Sequence, residues 1–132
     1  MIRSIGLIGY GHFGVFLHTL AERFLPETKL KVYARRKTPD GKLFFPLEEA
    51  AACDAVVLSV PISSYETVLG QVVPHLRDDT VLVDVATIKK YTGDLVRAAA
   101  GDRPFVATHP MFGPESYAKR DGDVAGLRIV VT

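Results

Sequence analysis

Three glycines at a fixed spacing, Gly9, Gly11 and Gly14, follow directly on the apolar run Ile5-Gly6-Leu7-Ile8. The run reads as a buried strand, and the amphipathic pattern after the glycines reads as a helix. In that setting each glycine has a separate physical task. Gly9 permits a tight strand-to-helix turn, Gly11 lets the backbone approach a pyrophosphate, and Gly14 lets the helix pack closely on the strand. Free N–H groups and the positive end of the helix dipole then face the anion. The spacing alone is weak, because glycines mark many turns. Its place between strand and helix makes it a dinucleotide-binding signature. His12 and Phe13 open the helix and join the candidate cofactor contacts, although plain solvated helical positions are expected for both His12 and His18.

The second chemical signal follows the second strand, Leu30–Ala34. A site that prefers NAD needs an acid here to accept hydrogen bonds from the adenine-ribose hydroxyls. The sequence instead reads Ala34-Arg35-Arg36-Lys37-Thr38, with no acid. A 2′-phosphate would repel a carboxylate and pair with guanidinium groups in charge-assisted bonds. The bland alternative is a solvated basic loop, but the glycine turn upstream favours NADP. Arg35 is the first candidate for the phosphate contact, supported by Arg36 and Thr38.

These groups need elements to hold them. The first strand spans about Ile2–Ile8, and its helix presents Phe13, Phe16, Leu17, Leu20, Ala21 and Phe24 on one face before Pro26 stops it. Leu43-Phe44-Phe45 reads as a short edge strand and Leu47–Ala52 as a brief helix. Cys53 then precedes the nearly continuous apolar strand Ala55–Pro61, where a buried inert thiol is expected. Ser63 or Ser64 caps a helix that runs to His75. Val81–Val85 is a further buried strand, and Asp94–Ala100 a helix ending at Gly101. Pro104–Thr108 and Leu127–Val131 are the remaining strands. The alternation predicts an α/β fold, a doubly wound parallel sheet in a single domain of the Rossmann, NAD(P)-binding kind. Four strand ends bring glycine-rich or polar segments to one edge: Gly9–Gly14, Ser59–Pro61, Asp84–Lys89 and Thr108–Ser116.

Composition excludes several other classes. The chain has 132 residues, enough for one domain, with 16 Lys and Arg against 15 Asp and Glu. That near balance gives no global field for nucleic acid or a membrane surface, and neither is expected as a partner. One cysteine leaves no intrachain disulfide and no cysteine-rich metal site, so no metal is expected. No apolar run approaches a membrane span, and the N-terminus lacks a signal-peptide layout. A cytoplasmic setting fits, or an organellar one if a transit peptide has been removed.

With the four segments in view, the sequence resembles the NADP-binding half of the arogenate and prephenate dehydrogenases. The matching pieces are Gly6–Gly14 (GLIGYGHFG), Val57–Pro61 (VLSVP), Asp84–Lys90 (DVATIKK) and Thr108–Ser116 (THPMFGPES). The resemblance implies oxidative decarboxylation of a cyclohexadienol in tyrosine biosynthesis, with arogenate or prephenate as the small-molecule substrate. A hydride leaves the carbon bearing the ring hydroxyl, carbon dioxide is lost, and the ring becomes aromatic. Such chemistry uses a group that takes the hydroxyl proton, and the family's catalytic histidine falls on His109. The family's serine in the segment after the fourth strand falls on Thr87, which keeps a hydroxyl but adds a methyl group that restricts its rotamers. Lys89, Ser59, Val60 and Pro61 fall on positions along the cofactor.

The sequence also departs from that pattern. Tyr117 stands where the family commonly has glycine after the position of Ser116. Family members continue into a helical domain that dimerises and completes the substrate pocket, and no such domain lies within these residues. Substrate-carboxylate contacts then have only Arg120 and Arg128 as candidates. Three readings follow: an NADP-dependent arogenate or prephenate dehydrogenase present as its nucleotide domain, with a homodimer or a helical partner domain; an NADP(H)-binding module without turnover; or, ranked lower, another Rossmann β-hydroxyacid-type or imine-reducing dehydrogenase.

Overall fold

The apolar run Ser4–Ile8 forms strand β1 and lies inside a six-stranded sheet. The computed structural model describes residues 2–86, 89–110, 114–119 and 129–131. The other strands are β2 (Lys29–Tyr33), β3 (Ala55–Leu58), β4 (Val81–Asp84), β5 (Phe105–Pro110) and β6 (Ile129–Val131). Their order is β2-β1-β3-β4-β5-β6, so the chain reverses its direction of travel across the sheet at β1. In open α/β sheets that reversal point is where ligands bind, at the carboxyl ends of the strands.

The expected doubly wound parallel sheet holds for β1 to β5. Strand β6 is an antiparallel edge, with His109 opposite Val130 and Pro110 opposite Ile129. That pairing extends β5 beyond the expected Thr108, so His109 and Pro110 belong to the strand and not to a loop after it. Before β6 comes helix α5 (Pro114–Lys119), a turn and a half that the polar sequence does not announce. Leu43-Phe44-Phe45 supplies less than a strand: Phe44 makes one parallel bridge to Val32 beside β2.

Helix α1 (His12–Phe24) follows β1, and α2 (Leu47–Ala51) precedes β3. Helix α3 (Tyr65–Val72) starts after a 3₁₀ turn, Ile62–Ser64, and passes into another, Val73–His75. No serine side chain caps α3, contrary to expectation. The 3₁₀ turn does that work with the backbone, the Ser64 N–H donating to the Pro61 carbonyl at 2.9 Å. Helix α4 (Lys89–Ala100) begins five residues before the expected Asp94. Its first turns, Lys-Lys-Tyr-Thr-Gly, have no apolar periodicity to reveal them. Gly101 ends it with φ +60°, as expected.

Period-two alternation divides the sheet's side chains between two faces. Ile8, Val56, Leu58 and Leu82 form one core with Ala50 and Ala51 of α2, Leu69 and Val72 of α3, and Val96 and Ala100 of α4. Burying an aliphatic side chain of this size contributes about 1.5–3 kcal/mol, so this layer dominates the fold's stability. Gly6 lies on the same face, and a Cβ there would fall 1.8 Å from the Ala50 carbonyl oxygen, which is why α2 can lie against β1. Cys53 is buried beside α2, as expected, and burial pushes its thiol pKa up.

Among the described residues, α1 lies on the opposite face. Leu17, Leu20 and Ala21 of α1 meet Ile5, Leu7, Val57 and Val83 of the sheet across an apolar groove of about 420 Å³. Phe24, expected on the buried face, is 47% exposed at its rim. At the sheet's amino edge, the Asp54 carboxylate accepts the Arg3 N–H at 2.8 Å and the Ser4 N–H at 3.2 Å, and pairs with Arg77. That clamp ties the start of β1 to the start of β3.

Candidate functional site: a cleft at the end of helix α1

Gly9 has φ +105°, in the left-handed region that favours glycine, and a Cβ there would stand 2.2 Å from the Ser59 carbonyl oxygen. At Gly14 a Cβ would lie 2.6 Å from the Gly9 carbonyl oxygen, so α1 seats on the turn only because that atom is absent. Gly11 differs: nothing lies within 4 Å of where its Cβ would be. The space beside it is open, and it faces a cleft. No side chain caps α1 and no acid occupies its first turn, so its end stays positive.

The cleft has a volume of about 440 Å³. Gly11, His12 and Phe13 form one wall; Ser59, Val60, Pro61 and Ile62, after β3, form another; Val85 and Ala86, after β4, close it. Three of the four segments expected at one sheet edge therefore converge. Ser59 is fixed there by its N–H, which donates to the Ile8 carbonyl at 2.8 Å. Of the fourth segment, His109 lies in β5 at the same carboxyl edge, while residues 111–113 lie outside the described residues. Thr87 also lies outside them, as do Arg120 and Arg128. Lys89 opens α4.

The basic segment forms a tight turn at the end of β2. The Lys37 N–H donates to the Ala34 carbonyl at 3.0 Å, which puts Arg35 and Arg36 at the two central positions. Both are exposed, as is Thr38. These three do not line the cleft. The end of β2 that carries them is tied to the glycine turn, the Gly9 N–H donating to the Tyr33 carbonyl at 2.9 Å.

Two polar clusters escape a reading of the sequence by motif. In one, His18 is half-buried and not solvated: its Nδ1 meets the Tyr10 hydroxyl at 2.7 Å and its Nε2 meets Glu22. Burial, and then the Glu22 charge, raises the Tyr10 pKa. His12 is exposed, as expected. In the other, Asp84 is fully buried at the end of β4. Its carboxylate accepts the Tyr65 hydroxyl, the Thr92 hydroxyl at 2.9 Å and the Ala86 N–H at 2.8 Å. The Thr108 hydroxyl donates to its backbone carbonyl at 2.7 Å. Burial and the Asp84 carboxylate push the Tyr65 pKa far up, so its hydroxyl keeps its proton. One residue thus ties α3, α4 and β5 together behind the cleft wall. An acid ending an otherwise apolar strand was the available signal; its side-chain partners on other elements were not. Among the described residues no group of His, Cys, Asp or Glu could hold a metal, and no helix is long and apolar enough to cross a membrane.

A parallel sheet, a reversal at β1 and a glycine turn under an uncapped helix define a dinucleotide-binding fold of the dehydrogenase type. Residues 42–126 match the prephenate dehydrogenase, nucleotide-binding domain, family. The chain belongs to that family. The match begins after the glycine turn and the basic turn.

Among relatives, the chain is 34% identical over 71 residues to the "Probable arogenate/prephenate dehydrogenase" of Methanocaldococcus jannaschii, covering 53% of this chain and 16% of the relative. It is 30% identical to arogenate dehydrogenase 1, chloroplastic, of Arabidopsis thaliana, covering 96% of this chain and 21% of the relative. In structure it is similar to prephenate dehydrogenase from A. aeolicus, solved with hydroxyphenyl propionate and NAD+, with a TM-score of 0.76 and 18% identity over all of this chain and 51% of that one. The chain spans less than half the length of these curated relatives.

Proposed function

We propose that this domain binds NADP+ and serves as the cofactor half of an arogenate or prephenate dehydrogenase acting in tyrosine biosynthesis. The open space beside Gly11, under an uncapped helix end, is the observation that supports it most: a pyrophosphate fits where a Cβ would stand. Gly9, Gly11, His12, Phe13 and Gly14 hold or shape the pyrophosphate site, and Ser59, Val60, Pro61 and Lys89 flank the rest of the dinucleotide. Arg35, Arg36 and Thr38 take the 2′-phosphate. The dinucleotide supplies a hydride acceptor when bound. His109 takes the proton of the substrate's ring hydroxyl, and Thr87 orients it. The A. aeolicus enzyme was solved in complex with NAD+, which supports a nicotinamide cofactor, while the two arginines and the missing acid at the end of β2 favour its phosphorylated form. The setting is cytoplasmic, or organellar where a transit peptide is removed.

A second reading has an observation of its own. The apolar groove on the α1 face is the kind of surface a further domain would cover, which favours a cofactor module that needs its helical partner domain, or a homodimer built through it, for turnover. Turnover of arogenate and prephenate with NADP+ separates the two. Oxidation by the chain alone, abolished by His109→Asn, supports a complete enzyme. NADP+ binding without oxidation of either substrate supports the module.

A further inference from the structure

Residues 37–46 form a loop that lines no part of the cleft, yet it is closely built. The exposed Asp40 carboxylate accepts three successive backbone N–H groups, from Lys42 at 2.9 Å and from Leu43 and Phe44 at 3.0 Å. Those bonds hold its carboxyl below its ordinary pKa. The Asp40 N–H in turn donates to the Phe44 carbonyl at 2.9 Å. Val32 closes the loop onto β2, its N–H donating to Leu43 and its carbonyl accepting from Phe45, both at 2.8 Å.

The product of this bonding is the placement of one ring. Phe44 meets the Tyr10 ring edge-on, with centroids 5.2 Å apart and planes at 88°. The Lys37 ammonium lies 5.7 Å from the Phe44 centroid. Tyr10 sits between Gly9 and Gly11, and Lys37 closes the turn that carries Arg35 and Arg36. Phe44 therefore contacts both the turn assigned to the pyrophosphate and the turn assigned to the 2′-phosphate. The Tyr10 hydroxyl also meets His18 Nδ1 at 2.7 Å.

We propose that Phe44, seated by the Asp40-capped loop, is a positioning residue that sets preference for a 2′-phosphorylated dinucleotide by fixing the Arg35–Arg36 turn relative to the glycine turn. The inference rests on the NADP+ reading above. A preorganised turn presents its guanidinium groups without being ordered at the moment of binding. A dinucleotide without the 2′-phosphate lacks the group that pairs with those guanidinium groups, so it loses less when the turn is freed.

Asp40 gives the test its sign. By charge alone, removing an acid from the loop that follows the basic turn favours a phosphate. The brace requires the opposite for Asp40→Ala, which frees the loop. Asp40→Asn loses the charge but keeps the accepting oxygen.

NADP+ and NAD+ are titrated calorimetrically against the full chain and its variants, with thermal melts alongside. Asp40→Ala and Phe44→Ala are expected to weaken NADP+ about tenfold while NAD+ changes by less than about threefold. Asp40→Asn and Phe44→Tyr should rescue NADP+ binding. Unchanged or tighter NADP+ binding by Asp40→Ala overturns the inference, as does an equal loss for both nucleotides. Asp40 is exposed, so its variants keep the test decisive if Phe44→Ala does not fold. A wild-type chain with no preference for NADP+ sinks the underlying reading first, and the brace with it.

Discussion

The carbonyl oxygen of Gly9 lies where it would be 2.6 Å from a Cβ on Gly14, in the first turn of α1. A backbone atom cannot swing aside as a side-chain tip can, so Gly14→Ala must push α1 off the turn. Helix propensity gives alanine about 1 kcal/mol over glycine, whereas overpacking costs about 1–3 kcal/mol. A contact this short belongs at the upper end, and the clash wins. Urea denaturation should show Gly14→Ala destabilised by about 1–2 kcal/mol. A gain in stability would mean that α1 is not seated as described.

Gly11 predicts the reverse pattern. Its Cβ would enter open space, so Gly11→Ala should keep wild-type stability within about 0.5 kcal/mol. The same methyl occupies the place assigned to the pyrophosphate, and calorimetry should find dinucleotide affinity lowered at least about tenfold. Undiminished affinity would move the pyrophosphate elsewhere.

The Asp84 carboxylate joins α3 and α4 through the Tyr65 and Thr92 hydroxyls, while its backbone carbonyl takes the Thr108 hydroxyl of β5. Removing the Tyr65 hydroxyl leaves that charge buried with one partner fewer. Tyr65→Phe should therefore cost about 1.5–3 kcal/mol, read from the urea midpoint at unchanged slope. A loss under about 0.5 kcal/mol would show that the hydroxyl is dispensable.

Asp54 makes a prediction for acid stability. Arg77, then the Arg3 N–H, lowers its folded pKa from 3.8 to about 2. A depressed carboxyl pKa contributes stability that is complete above the unfolded value and lost as pH falls toward the folded one. Thermal midpoints of the native chain should fall as pH drops from 4 toward 2, and Asp54→Asn should flatten that part of the profile. A variant as steep as the native chain would contradict the assignment.

What the sequence revealed is what local pattern encodes. Continuous apolar runs announced β1, β3 and β4, and the strand-turn-helix context placed the glycine turn. The start of α4 stayed hidden because its first turns are polar, held by Thr92 reaching back to Asp84. Antiparallel pairing set the length of β5, so no feature of the sequence up to Thr108 could carry His109 into the strand. His18 looked like a surface residue because its partner Tyr10 belongs to the turn and not to its helix. Tyr65, Thr92 and Phe44 were missed for a shared reason. Their partners belong to other elements of the fold, and they form no motif.

The most direct measurement is calorimetric titration of NADP+ and NAD+ against the wild-type chain and Arg35→Ala. A charge-assisted phosphate contact predicts that NADP+ binds roughly 10- to 100-fold more tightly than NAD+, and that Arg35→Ala removes most of the difference. Equal affinity for the two nucleotides, or a preference that survives Arg35→Ala, would contradict the assignment of the basic turn.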